Sequence, residues 1–380
     1  MKRQNSFAFI LAGAAAVVMA AGAALPATQK PYPVVTTVKD GVKEIMNPDF
    51  PRDGRFAGKL IPEMTWGEEG PPDSALLNKP IEMHVDDQGR VYVLDWGDMQ
   101  IKMYGPDGRF LRTIGRRGQG PGEFTTPAFM ALMSDGRICL LDGGQHRVSF
   151  LSNDGQYISS FPFEGYFRSL VIDGQDRIYL AKWGSVGEPK LSTEFREVPY
   201  ITSIFRTNTM GKEMVHLIDF LGETMIMKAV GGGGTMGGGG IFVIVWNVNR
   251  RGKLYGGFNG IYRLGAYGTD GTIEFTFGRE FTPLKNPRYK GMVGQQKTMP
   301  AFTRTIVFDD EDNPWLELSK ADDKDPTVYD VFSPEGIYLK QVKLDQRIAR
   351  FKNGRIYSIV RSEAEDVSIK RFRLELTPEK

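Results

Sequence analysis

The sequence predicts an all-β fold, a six-bladed β-propeller, and three observations support that prediction. Short runs rich in Val, Ile, Tyr and Phe alternate with turns rich in Gly, Pro and Asp, as in antiparallel strands joined by tight turns. Residues 86–127 hold three such strands, and the pattern then recurs with a period of about 47 residues, which is typical of a repeat architecture. One strand that is missing at the C-terminal end is found near the N-terminus, as expected for a ring that closes on itself.

The second strand of each repeat has a common form, in which a polar or basic residue precedes an apolar residue and usually an aromatic one. It occurs as RVYVLD from Arg90, RICLLD from Arg137, RIYLAK from Arg177, KLYGGF from Lys253, NPWLEL from Asn313 and RIYSIV from Arg355. Between the first two repeats, the residues that return are Pro80, Gly89, Arg90, Asp95 and Gly108, as Pro127, Gly136, Arg137, Asp142 and Gly155. Four short strands per repeat predict a propeller blade, and six signatures predict six blades.

The outer strand of each repeat follows a glycine turn, and five copies begin at Gly108, Gly155, Gly211, Gly271 and Gly336. No sixth copy follows residues 367–376, but residues 58–67, GKLIPEMTWG, have the same form. We therefore expect this N-terminal strand to complete the last blade and close the ring, so that no sheet edge is left exposed there. Residues 33–47 are expected to add a hairpin outside that last blade, with its turn at residues 39–41.

Residues 1–24 have the features of a secretory signal peptide: Lys2 and Arg3, an apolar run over residues 7–21, and small residues at the cleavage site. The apolar run is short for crossing about 30 Å of hydrocarbon, so we favour cleavage over a membrane anchor. Residues 25–380 then form a single propeller domain, expected in the periplasm or outside the cell and not inserted in a membrane. The one cysteine, Cys139, lies within a strand signature and is expected in the core.

Charge and composition narrow the class of partner. The formal net charge is +2, so no overall field favours nucleic acid. A closed ring has no strand edge that drives association, so we expect a monomer. Residues 231–240, GGGGTMGGGG, are expected to form a flexible loop, either near the ligand-facing side or as a solvated connection without a role.

The segment VYVLDWGDMQIKMYGPDGRFLRTIG closely resembles an NHL repeat, and with GRRGQGPGEF after it the chain looks like the exported bacterial six-bladed propellers of the NHL/TolB-like group. The resemblance is specific over residues 80–162, whereas only the frame of strands and turns persists in the later repeats. It implies a propeller whose top face and central channel bind something. It implies no single reaction, because the group contains binding modules and a few enzymes.

Two motifs of this segment have a structural interpretation. Asp95 and Asp142 end equivalent strands, where a carboxylate can accept hydrogen bonds from the backbone N–H groups of a tight loop, and we favour this role over catalysis. The glycines of GRRGQGPGEF are spaced as in a phosphate-binding loop, but a strand rather than a helix follows them. They therefore predict a connection between blades.

A candidate binding face lies on the loops that join successive blades. Arg116 and Arg117 could hold a carboxylate, a sulfate or a sugar acid through forked hydrogen bonds. Trp96 and Trp183 lie at the ends of second strands. Exposed, they would form an apolar platform for a ligand; buried, they would pack the blades.

Two histidines are further candidates for ligand binding. His146 lies on the loop between the second and third strands of its blade, and His84 lies on the innermost strand of the first blade, where it could face the channel. No close pair of His or Cys predicts a zinc site, and no cofactor is expected, although a calcium ion held in the channel by carbonyls and carboxylates stays open. No GxSxG nucleophile motif occurs, so no catalytic residue is predicted.

We therefore predict an exported, non-enzymatic propeller that binds a protein, a glycan or a small anionic ligand at its top face or central channel. The alternative is a metal-assisted lyase or lactonase that uses the channel, with His84 and channel carboxylates as metal ligands, a class found within the resembling group. A docking platform in a cell-envelope assembly is a third hypothesis.

Overall fold

The computed structural model describes residues 32–67, 75–185, 196–230, 234–238, 243–287, 289, 297–322, 324–362 and 364–379. Every regular element in these ranges is a β-strand, so the fold is all-β as predicted. The same ranges contain no helix with the length and apolar character needed to span a membrane. The predicted signal peptide, residues 1–24, lies outside the described residues.

Three strands precede the first repeat: β1 (Val35–Lys39), β2 (Val42–Asn47) and β3 (Arg55–Trp66). β1 and β2 form an antiparallel hairpin, which confirms the predicted hairpin in residues 33–47. Its turn is formed by Asp40 and Gly41, both with positive φ (51° and 80°), as the primed turns of two-residue hairpins require.

The first three repeats form three separate antiparallel sheets. The first contains β4 (Pro80–Val85), β5 (Val91–Asp95), β6 (Gln100–Tyr104) and β7 (Phe110–Ile114). The second contains β8 (Pro127–Leu132), β9 (Ile138–Asp142), β10 (Arg147–Leu151) and β11 (Tyr157–Pro162). The third has five strands, β12 (Tyr166–Ile172), β13 (Ile178–Ser185), β14 (Arg196–Thr207), β15 (Val215–Val230) and β16 (Gly234–Gly238).

The remaining repeats share their sheets with the N-terminal strands. The fourth contains β17 (Ile244–Val248), β18 (Leu254–Phe258), β19 (Arg263–Tyr267) and β20 (Ile273–Arg279), extended by β2 and β1. The fifth contains β21 (Phe302–Phe308), β22 (Pro314–Leu318), β23 (Thr327–Phe332) and β24 (Tyr338–Leu344). The sixth contains β25 (Arg350–Lys352), β26 (Arg355–Arg361) and β27 (Val367–Pro378), next to β3.

The first strands of the six repeats contact one another in a cycle. β4 contacts β8, β8 contacts β12, β12 contacts β17, β17 contacts β21, β21 contacts β25, and β25 contacts β4. These six inner strands therefore surround a common axis, and the other strands of each repeat extend outward from it. This is the arrangement of blades in a β-propeller.

β3 lies where the sequence predicts. It pairs antiparallel with β27 from Trp66 opposite Ile369 to Phe56 opposite Pro378. At its first residues it also pairs in parallel with β24, so the fifth and sixth repeats belong to one eight-stranded sheet. Leu60 contributes to the apolar cluster between these repeats, which fixes the face that the strand presents.

The N-terminal hairpin lies on a different blade from the one predicted. β2 pairs in parallel with β20, from Lys43 opposite Phe275 to Asn47 opposite Arg279, so the hairpin extends the fourth blade and not the last one. The buried side chain of Ile45 joins the fourth-blade core, and the Asn47 amide donates hydrogen bonds to the carbonyls of Gly278 and Gly336 (3.0 and 2.9 Å). These tertiary contacts, which strand pattern alone does not show, select the position.

Part of the glycine-rich run is also a strand. Residues 234–238 form β16, which pairs with β15 from Val230 opposite Gly234 to Ile226 opposite Gly238. The prediction of a flexible loop is therefore wrong for these residues, because glycine retains the backbone N–H and C=O groups that form a ladder. Residues 231–233 and 239–240 lie outside the described residues.

The interior is apolar, with a few charged groups that are paired. Cys139 in β9 is fully buried, as predicted, and burial raises the pKa of its thiol. Between the fourth and fifth blades, Asp330 is fully buried and accepts hydrogen bonds from the Arg279 guanidinium (2.7 Å) and the Tyr262 and Tyr338 hydroxyls (2.5 and 2.6 Å). Since each oxygen of this carboxylate has a donor, the buried charge is compensated.

Candidate functional site

The turns that follow the inner strands share one hydrogen-bonding scheme. Asp86 Oδ1 accepts the backbone N–H groups of Gln88 and Arg90 (2.9 Å each), and its other oxygen accepts the Arg90 side chain. The same position accepts two backbone N–H groups of its turn in three further blades, at Asp173, Asn249 and Asp309. Each turn is thus fixed by its own first side chain, as in Asx-turns.

Neighbouring turns are also bonded to one another. Ser134 N–H donates to the Asp176 carboxylate (2.7 Å), and Gly174 N–H donates to the Arg250 carbonyl (2.9 Å). The Arg250 guanidinium donates to the Asp310 carbonyl, and Gly354 N–H donates to the Asp310 carboxylate. Lys352 donates to Asp87 (2.5 Å). These bonds connect the second blade through the sixth and back to the first. We call this set of turns the rim.

A cavity of about 600 Å³ lies inside the rim. All six inner strands line it, each at the end where the chain leaves the strand for the rim. In each inner strand, one residue that lines the cavity pairs with the aromatic residue or cysteine of the second-strand signature. We call these six residues the hub layer: His84, Ala131, Val171, Asn247, Val307 and Arg350.

The polar part of the hub layer is concentrated between the sixth and first blades. Arg350 reaches across from β25 to β4, where its Nε donates to the Met83 carbonyl (3.2 Å) and its Nη2 lies 3.1 Å from His84 Nε2. Glu82 lies on the same strand, with Oε1 3.6 Å from His84 Nε2 and Oε2 accepting the Met130 N–H (2.6 Å). A carboxylate, an imidazole and a guanidinium therefore converge at one place in the cavity wall.

The surroundings of His84 and Arg350 shift the pKa values of both side chains. Burial, and then the positive charge of Arg350, lower the pKa of His84, while Glu82 and a backbone hydrogen bond with Met130 act in the opposite direction. A neutral imidazole can accept the Arg350 hydrogen bond at Nε2 with its proton on Nδ1. Burial also lowers the pKa of Arg350, partly offset by Glu82, but an arginine remains charged under any ordinary condition.

Most acidic groups of the cavity wall already have donors. Asp86 is paired with Arg90 (2.5 Å), and the Lys352 ammonium holds the pKa of Asp87 below its usual range. Asp309 accepts the indole N–H of Trp315 (2.9 Å) in addition to its two turn N–H groups. In the described part of the chain, no three His, Cys, Asp or Glu side chains are grouped in a way that could hold a metal ion.

His84 is the predicted site residue that lines this cavity, and it does so from the innermost strand, as expected. Arg116 and Arg117 lie on the connection into β8, where the inner strand begins, whereas the cavity is at the end where inner strands finish. The Arg116 side chain is exposed and paired with Glu123 (2.7 Å), and Arg117 forms a backbone bridge with Phe124.

The other three candidates lie at the same end of the blades as Arg116. Trp96 is half-buried under the Lys79 ammonium, 4.5 Å from the ring centre. Trp183 is half-buried beside the Arg168 guanidinium, also 4.5 Å away. His146 is exposed on its loop. None of these side chains lines the hub cavity.

Asp95 and Asp142 have the structural role that the sequence predicts. Asp95 accepts the backbone N–H groups of Asn78 and Lys79 (2.7 and 2.8 Å) and of Gly97 (3.2 Å). Asp142 accepts those of Thr125 and Thr126 (2.7 and 2.9 Å), and also two in the loop after it. Each carboxylate thus fastens both the loop entering its blade and the loop following its second strand.

The fold and the hub cavity define a protein of the β-propeller class. Residues 71–187 match the DUF5128 family, which is described as a 6-bladed beta-propeller. No curated protein matches the sequence.

Solved structures of low sequence identity share the fold. A protein from Bacteroides fragilis described as exported is 10% identical with a TM-score of 0.53, over 89% of this chain and 99% of that one. A member of the DUF4221 family from Bacteroides vulgatus is 11% identical with a TM-score of 0.54, over 92% and 100% of the two chains. A virginiamycin B lyase from Staphylococcus aureus is 13% identical over 85% and 89%, with a TM-score of 0.42, too low to bear on this chain's activity.

Proposed function

We propose that this protein is an exported, non-enzymatic propeller that binds a small ligand in the hub cavity. The observation that carries the proposal is the cavity of about 600 Å³ with Glu82, His84 and Arg350 converging in its wall. Ligand sites have volumes of roughly 300–1,000 Å³ and combine apolar walls with a few placed polar groups. The hub cavity has a volume in this range, and its wall combines apolar residues such as Ala131 and Val171 with the polar residues of the rim.

The remaining parts of the proposal concern export and the ring. The signal peptide predicted in residues 1–24 supports export to the periplasm or the exterior, and the fold shared with a Bacteroides protein described as exported agrees with it. The pairing of β3 with β27 supports a six-bladed ring of the NHL/TolB-like type that is closed by the N-terminal strand. The bonded rim supports a cavity of fixed shape.

Ligand-observed saturation-transfer NMR tests the binding proposal. The purified chain without residues 1–24 is mixed with a panel of monosaccharides, sugar acids, amino acids and nucleosides. Gln88→Trp adds bulk at the cavity mouth, because Gln88 is exposed on the rim and contributes only its backbone N–H to the turn. The matched control at the other end of the blades is the double variant Arg116→Ala/Arg117→Ala.

A signal that is lost in the Gln88 variant and retained in the arginine control supports the hub cavity. The reverse pattern would move the site to the face that bears Arg116 and Arg117. No signal from any panel member would overturn the proposal. The sequence-based alternative, a metal-assisted lyase or lactonase, stays a prediction, and elemental analysis of the purified protein for a stoichiometric divalent ion tests it.

A further inference from the structure

We infer, on the basis of the proposed function, that the ligand of the hub cavity is a small carboxylic acid that carries hydroxyl groups, a sugar acid, and that Arg350 binds its carboxylate. The inference rests on three observations. Arg350 forms no ion pair with a carboxylate of the described residues, although Glu82 lies nearby. The other hub-layer side chains are uncharged near neutral pH, and the rim exposes the carboxylates of Asp87 and Asp135.

The Arg350 guanidinium has N–H groups that remain available to a ligand. Its hydrogen bonds go to the Met83 carbonyl and to His84, which are both uncharged partners. Among the residues that the structure describes, no carboxylate lies within ion-pair distance of it. Two of its five N–H groups are used, and a partly desolvated cation in this state is stabilised by an anion.

The identity of the anion follows from the shape of the guanidinium. Its planar fork matches the two oxygens of a carboxylate, which gives two parallel charge-assisted hydrogen bonds. His84 holds Arg350 from one side and the Met83 carbonyl holds its Nε, so the orientation of the fork is fixed before a ligand arrives. A pre-oriented donor pair loses little conformational entropy on binding.

The rest of the cavity favours a single negative charge with hydroxyl groups around it. Glu82 lies in the same wall, and the exposed carboxylates of Asp87 and Asp135 lie on the rim. These carboxylates would repel a doubly charged group such as a phosphate monoester more strongly than a singly charged one, and Asp87 and Asp135 can accept hydrogen bonds from hydroxyl groups. Apolar hub-layer residues such as Val171 and Val307 can contact the carbon skeleton of a sugar.

Isothermal titration calorimetry with matched probes tests the inference. The probes are D-glucuronate, D-glucose and D-glucose 6-phosphate, and D-gluconate with D-glucitol forms a second acid and neutral pair. The variants are Arg350→Gln, which removes the charge, and Arg350→Lys, which keeps the charge but loses the fork. Arg109→Gln is the matched control, because Arg109 is an exposed arginine on the turn between β6 and β7 and does not line the cavity.

We expect at least one of the two acids to bind about tenfold or more tightly than its neutral partner, because a hydrogen bond to a charged group contributes about 1.5–3 kcal/mol. Arg350→Gln should remove that preference, Arg350→Lys should retain part of it, and Arg109→Gln should leave it within about twofold. Thermal unfolding of each variant shows whether it is folded, and the Lys variant serves if the Gln variant is not.

Other outcomes would overturn the inference. Equal binding of acid and neutral probes, unaffected by Arg350→Gln, would mean that the cavity binds uncharged ligands, and the proposed function would stand. Preference for the phosphate would reject the single-charge argument. If no calorimetry probe binds, but another compound of the NMR panel gives a signal that Gln88→Trp abolishes, the sugar acid is rejected and the hub cavity remains a ligand site. If nothing binds in either experiment, both the sugar acid and the proposed function are rejected.

Discussion

Replacing Asp142 by alanine tests whether its carboxylate has a structural role or a catalytic one. Asp142 accepts the backbone N–H groups of Thr125 and Thr126 on the loop that enters the second blade, and that of Gly144 on the loop after β9. The alanine variant leaves these N–H groups without their acceptor. The loops should then detach from the blade, and the free energy of unfolding should fall.

The contacts give the size of the effect. Each hydrogen bond to a charged acceptor contributes about 1.5–3 kcal/mol, but the contributions are not additive and water can reach part of the loop. We therefore expect Asp142→Ala to lower the free energy of unfolding by roughly 4 kcal/mol. Asp142→Asn keeps one carbonyl oxygen and presents an amide to the donors on the other side, so about half of that loss is expected.

Urea denaturation followed by tryptophan fluorescence measures the change. The matched control is Asp135→Ala in the preceding turn of the same blade, where the side chain is half exposed and pairs with Arg137 (2.6 Å). A surface ion pair of this kind contributes about 0–1 kcal/mol. If Asp142→Ala unfolded at the same urea concentration as Asp135→Ala, the structural role of this carboxylate would be refuted.

Three further predictions concern the hub, the core and the N-terminal strand. The pKa of His84 is lowered in the folded protein, so between that pKa and about 6.5 the unfolded chain binds more protons than the folded one. The free energy of unfolding should therefore decrease as the pH falls through this window, by at most about 1.4 kcal/mol per pH unit. His84→Gln should reduce that slope in urea melts at successive pH values, and an unchanged slope would contradict the assignment. Asp330→Asn should cost about 3–5 kcal/mol in the same assay because the buried Arg279 loses its counterion, and a loss below about 1 kcal/mol would argue against an ionised pair. A chain that begins after residue 67 lacks β3 and should aggregate in size-exclusion chromatography, whereas one that begins at residue 48 lacks only the hairpin and should elute as a folded monomer. Elution of both chains as folded monomers would show that β3 is dispensable.

The strand pattern predicts most of the fold because it depends on local chemistry. Alternating apolar residues and Gly-Asp turns place β5, β9 and β26 where the structure has them. The position of the hairpin could not be predicted in this way. It depends on Ile45 and Asn47 finding partners in the fourth and fifth blades, which are remote in sequence.

The hub site was predictable only in part. His84 could be assigned to the cavity because its strand precedes a recognisable repeat. Arg350 was missed because the turn before Arg355 is one residue shorter than in the other blades: Arg350 pairs with Tyr357, whereas His84 pairs with Tyr92. With the turn one residue shorter, the residue that pairs with Tyr357 is Arg350, which is therefore equivalent to His84 in the first blade.

The pairing of β3 with β27 joins a strand that is synthesised early to one that is synthesised much later. Trp66 leaves the ribosome long before its partner Ile369 exists, so an incomplete chain cannot bury the face of β3 that carries Leu60. Loss of β27 alone would expose the same face of β3. The integrity of this sheet therefore depends on two segments that are far apart in the sequence, and loss of either strand would expose it to proteases and chaperones.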